Sequence, residues 1–301
     1  MKEHKRGLLF VIFVGLSLSI ANALWAFLLS IAESLNGNFA LVAIFMAFGL
    51  IPVVIPIMLL KKERFHFNKY AALTGILYGV SNAILLSIFS YKNSAVIYSL
   101  ISPTIIVFIL FEIIINRSKL KKRNAIKLFF GGCVAGIGFI VLSFSGLNLS
   151  LMNSYDIAIS LLLIFLYGAA GFFFTQTGLK SRDSYNAITN IGLFEALSIA
   201  FFLPFSPHIF SFNGIPISFL AGIVVSIGVI ISFFGYHQIS HEKHAISYSS
   251  IIYILSEMET LFLLLFYSIF VGELNTIVIL SIFIISISVW YLSKESDTAF
   301  S

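Results

Sequence analysis

Three glutamates, Glu195, Glu257 and Glu259, stand inside stretches of a 301-residue sequence that are otherwise apolar. A carboxylate costs about 2.5 to 3.5 kcal/mol at the centre of a lipid-spanning helix unless it is paired or hydrated, so each is a candidate for handling a solute or a proton. Glu257 and Glu259 are two residues apart, roughly 200° around a continuous helix, and one cavity is expected to receive only one of them. Glu257 shares its arc with Ser249, Ser250, Tyr253, Ser256 and Thr260. It is expected to be the cavity carboxylate and the proton carrier of any coupled process. Glu259 is expected to accept hydrogen bonds from an adjacent helix, and Glu195, with Asn190 and Ser198 nearby, to be structural. Glu112 lies within about one turn of a helix end, where snorkelling to the interface and a role in a site are evenly balanced.

Other chemistry is thinner. His237, His241 and His244 cluster, but no carboxylate or cysteine companion completes a metal site, and a surface turn is expected there. Cys133 is the single cysteine, so there is no intrachain disulfide and no cysteine-based metal site. No G-x-x-x-x-G-K-[ST] loop is present to cradle a nucleotide. No metal and no cofactor are expected.

Neutral polar and aromatic residues recur at helical spacing, i, i+3, i+4 and i+7, which places them on shared faces. The expected solute-binding set is Asn22 and Trp25; Tyr78, Ser81 and Asn82; Tyr98 and Ser102; Tyr167; His237; and Ser249, Tyr253 and Glu257. A lone serine or threonine more often ties helices together than lines a site. Stripes that combine an amide, a ring and hydroxyls carry more weight.

The elements that must position these residues follow from composition. The chain is 59% hydrophobic and 10% charged, with a mean hydropathy of +1.03. A soluble domain carries roughly 25% charged residues, so the solvent for most of this chain is lipid. Ten apolar runs are long enough to be helices crossing a bilayer: 7–33, 38–60, 68–91, 94–115, 124–146, 154–178, 184–205, 215–239, 244–270 and 275–292. The expected fold is an all-α integral membrane protein. The Ala21-Asn22-Ala23 sequence resembles a signal cleavage site, but the apolar run continues to Ala32, so an uncleaved first helix is expected.

The net charge of +5 lies in short clusters between the runs, a pattern of membrane topology and not of nucleic-acid binding. With ten crossings, 17 of the 18 lysines and arginines fall on one face, Lys92 being the exception. Cytoplasmic loops retain such residues. Both termini are therefore expected in the cytoplasm, of a multi-pass plasma (cell inner) membrane protein. Ten helices divide into five plus five, and an odd number per half makes the second half enter from the opposite face. The expected units are residues 1–150 and 151–301, an inverted repeat with a binding site between its halves. Its trace is that Ser102-Pro103 lies 13 residues before Asn116, as Glu259-Thr260 lies 13 before Glu273.

At these residues the chain resembles the ten-helix drug/metabolite transporter superfamily, the EamA-like kind. The features that carry the resemblance are Pro103 in the first half, Glu259 and Gly272-Glu273 in the second, and Gly131-Gly132-x-x-x-Gly136 after the basic loop. Asn116 and Thr260 stand where that family carries glutamate and proline, which marks a divergent member. The resemblance implies that helices 1, 3, 4, 6, 8 and 9 surround a central cavity. It implies a secondary or facilitated transporter, an exporter of a small amphipathic organic solute such as an amino acid or aromatic compound, working by alternating access. Proton coupling through Glu257 would supply the energy if transport is driven. The competing expectation is an integral-membrane, lipid-modifying enzyme, whose acid, base or metal ligands only the His237, His241, Glu242 and His244 group approaches. The expected partners are the solute and membrane lipid, and the chain suits a monomer or a homodimer equally.

Overall fold

The computed structural model describes residues 2–88, 97, 100–117, 120, 122–143, 154–181, 183–207, 211–241, 245–263 and 276–298. Among them there is no strand. The α-helices are α1 (Lys2–Asn36), α2 (Phe39–Leu60), α3 (Lys69–Ile88), α4 (Thr104–Ile115), α5 (Lys122–Ser143), α6 (Ser154–Lys180), α7 (Ser184–Ala200), α8 (Ile215–Ile239), α9 (Ala245–Ser256) and α10 (Thr276–Thr298). Six contain segments long and apolar enough to cross a membrane: Gly7–Asn36, Phe39–Leu60, Lys69–Ile88, Asn124–Val141, Ile157–Lys180 and Ile215–Ile239. Their outer faces carry exposed Phe13, Leu60, Phe130 and Leu161, side chains that water would penalise and lipid would not. The described residues are thus all-helical, with six helices suited to a membrane-embedded protein.

Helix α1 packs along α8; α2 lies against α7 and α8; α3 lies against α6 and α7; α5 pairs with α10. Glycine sets the closest of these approaches. A Cβ on Gly222 of α8 would come 2.0 Å from the Met46 carbonyl oxygen of α2, so the two backbones touch where no side chain fits. The Gly131-Gly132-x-x-x-Gly136 run also packs within the chain. Gly132 and Gly136 seat Ile109 and Ile106 of α4, and Gly131 seats Leu292 of α10.

Two helical paths break in mid-course. Ile101 is helical, Ser102 and Pro103 form a turn, and α4 restarts at Thr104 with Pro103 at its N-cap. Proline has no N–H to give and disfavours helix in the residue before it. The second break follows Ser256: Glu257 and Met258 form a turn and the helix resumes at Glu259. There the Met258 N–H donates to the Leu255 carbonyl at 3.2 Å, three residues back, which tightens the last turn of α9. The two breaks meet, with the Ser102 and Thr260 hydroxyls 2.6 Å apart.

Asparagines join the chain's two halves at both ends of α2. At one end Asn36 donates to the Ser211 and Asn213 carbonyls at 2.7 and 2.6 Å, and Ser206 donates to Asn38 at 2.6 Å. At the other Asn68 donates to Ser181 at 2.8 Å, while Asn186 and Asn190 both donate to the His66 carbonyl at 3.0 Å. Asn38 and Asn68 also accept from the first N–H groups of α2 and α3, so each caps a helix and fastens the halves with one side chain.

Candidate functional site

Between the halves lies a cavity lined by residues of both. It is bounded by α1, α2, α3, α6, α7 and α8 and by both helix breaks. Helix α3 brings Asn82 to its wall because Gly75 and Gly79 let α3 lie directly on α7. A Cβ at Gly79 would sit 2.6 Å from the Glu195 carbonyl oxygen. Asn82 then donates to the Glu195 carboxylate at 2.7 Å and accepts from the Tyr167 hydroxyl at 2.5 Å. One amide thus fixes an acid from α7 and a phenol from α6.

The opposite wall is made by the breaks. The Glu257 carboxylate lies beside the Thr104 and Tyr253 hydroxyls, and Glu259 lies beside Asn22 of α1. The Tyr253 ring stacks on Phe108 at 3.9 Å and 7°, and it fits there because residue 171 is glycine. Tyr78 stands 6.2 Å from both Tyr167 and Phe174, and Trp25 donates its indole N–H to the Met46 sulfur. Three carboxylates and several rings therefore line one cavity, and no lysine, arginine or histidine is among the lining residues described.

Eight of the twelve expected residues line this cavity: Asn22, Trp25, Tyr78, Asn82, Ser102, Tyr167, Tyr253 and Glu257. Three lie elsewhere. Ser81 turns its hydroxyl back to the Leu77 carbonyl and Ser249 to the Ile246 carbonyl, the local bond that helical serines commonly make. His237 is exposed, its ring 6.0 Å from that of His241. Tyr98 lies outside the described residues.

The separation of Glu257 from Glu259 is corrected. Both line the cavity, because the 100° step per residue holds only for continuous helix and the helix is interrupted by a tightened turn at Glu257-Met258. Glu195 is likewise in the wall, bonded to Asn82, while Asn190 belongs to the joint near His66. Glu112 is 0% exposed and accepts from Asn116, so it does not snorkel. Tyr236 was missed, although Val225, Val229 and Tyr236 are spaced by four and seven residues and share the inner face of α8. His237, one step round the helix, is exposed instead.

No family model matches the chain, and no curated protein matches it. Among solved structures, one crystal structure aligns over 100% of this chain and 100% of its own, with a TM-score of 0.63 at 13% sequence identity. At that identity the likeness concerns the fold alone.

Proposed function

We propose that the chain is a ten-crossing membrane protein, two oppositely oriented five-helix halves, that moves a small organic solute by alternating access. It acts as a secondary or facilitated exporter of the drug/metabolite kind, with both termini in the cytoplasm and the plasma membrane as its site. The observation that carries this reading is a largely apolar, ring-lined cavity with three carboxylates, between the halves at the level where one helical path from each half is broken. Broken helices with a site at mid-membrane are the recurrent design of such carriers.

The packing supports the inverted repeat. Exchange helices 1 to 5 for 6 to 10, and α1 on α8 becomes α6 on α3, α2 on α8 becomes α7 on α3, and α1 on α9 becomes α6 on α4, all of which are contacts of the molecule. The pairs α2 with α7 and α5 with α10 map onto themselves. The asparagine joints exchange too: Asn38 with Ser206 corresponds to Ser181 with Asn68. Two equivalent fastenings, one beyond each end of the cavity, are what rocking between two states requires. Each would open in turn while the other holds. Glu257 and Glu259 are the candidates to carry a proton if transport is coupled.

Counterflow tests the proposal. Purified protein in sealed vesicles preloaded with a panel of unlabelled aromatic amino acids and amines should transiently accumulate the labelled counterpart of at least one, saturably. The Asn22→Ala variant should lose that signal while eluting as folded protein. Turnover of membrane lipid without solute movement would favour the enzyme instead.

A further inference from the structure

We propose that the cavity selects an organic cation, an amine or quaternary ammonium on an apolar or aromatic body. Its role as cargo rests on the transport reading above; its binding does not. The polar neighbours of the wall's carboxylates are neutral: Asn82 donates to Glu195, Thr104 and Tyr253 stand beside Glu257, and Asn22 stands beside Glu259. Neutral donors fix a carboxylate's direction and leave its charge uncompensated, which is costly away from water. Among the described residues no basic side chain of the protein enters the cavity to balance it. An ionised acid there is balanced by what binds, a proton or an organic cation.

A second observation, independent of the acids, is aromatic. Ring faces attract cations within about 6 Å of their centroids, and a rigid ring loses little freedom in doing so. Tyr253 is clamped by its stack on Phe108 and by the space left at Gly171, while Tyr78 is held between Tyr167 and Phe174. A bare metal ion does not fit the arrangement. Among the described residues no three histidine, cysteine, aspartate or glutamate side chains converge as a metal site requires. Glu195 enters from α7, whereas Glu257 and Glu259 enter from the α9 break, so the acids come from two separate elements of the wall. An extended cation meets such a wall better than a point charge does.

The test is equilibrium binding of radiolabelled benzyltrimethylammonium to the purified protein, challenged by three competitors of one skeleton. Phenethylamine is a cation, phenylacetamide is neutral and phenylacetate is an anion. Saturable binding is expected, with phenethylamine competing at least about tenfold better than the other two. Glu257→Gln and Glu259→Gln should each weaken the probe by about tenfold or more. If a variant fails to fold, the competition series on the native protein still decides. Equal competition by the amide or the acid, absence of saturable probe binding, or unchanged affinity in both folded variants would overturn the assignment. Cation binding without counterflow would remove the transport role and leave the cation site; counterflow of a neutral or anionic solute without cation binding would do the opposite.

Discussion

Asn82 holds two elements of the cavity wall at once, donating to Glu195 on α7 and accepting from Tyr167 on α6. Asn82→Ala strands both groups at a buried position, and each unmet group costs about 1 to 3 kcal/mol. The variant should therefore melt at lower temperature as well as bind solute more weakly, which thermal unfolding in detergent reads directly. Tyr253→Phe should behave differently: it keeps the ring stacked on Phe108 and removes the hydroxyl beside Glu257, so binding should fall while the melting temperature stays near that of the native protein. The amide, ring and acid at Asn82, Tyr253 and Glu257 were legible in the sequence as faces of helices. Glu259 was not assigned to the cavity, because a helical wheel assumes the helix it is drawn on, and neither Glu257 nor Met258 carries a proline-like signal of the break.

At the scale of elements, close backbone contact decides which helices can share a cavity. Gly222 meets α2 where a Cβ would overlap the Met46 carbonyl oxygen, and Met46 itself lines the cavity. Gly222→Val should force α8 from α2 at a cost of about 1 to 3 kcal/mol, seen as a lower melting temperature and a lower folded yield. A Gly222→Val protein as stable as the native one would mean that the two helices do not touch there. Helix existence was legible from apolar length alone, and the described helices lie within the runs read from hydropathy or overrun them by a few residues. Interruptions were less so. The expected span 184–205 ends its α-helix at Ala200 before a short 3-10 turn at Leu203–Phe205, and the expected span 244–270 is broken after Ser256, since hydropathy records burial in lipid and not backbone continuity.

For the whole molecule, the proposed function makes one claim: the same space opens to each side in turn. Sidedness of charge suggested opposite faces for the 36–38 and 61–68 joints, and their hydrogen-bond partners lie at opposite ends of α2. The direct measurement is accessibility of one cavity cysteine, Asn22→Cys in a Cys133→Ala background, to a membrane-impermeant thiol reagent applied from either side of oriented vesicles. Companion proteins would carry a short thiol cross-link across Asn38 and Ser206, or across Asn68 and Ser181, made through cysteines introduced at those pairs. Labelling from both sides is predicted in the uncross-linked protein, and each cross-link should abolish labelling from its own side only. Labelling from one side alone, whichever pair is cross-linked, would make the cavity a blind pocket and contradict alternating access.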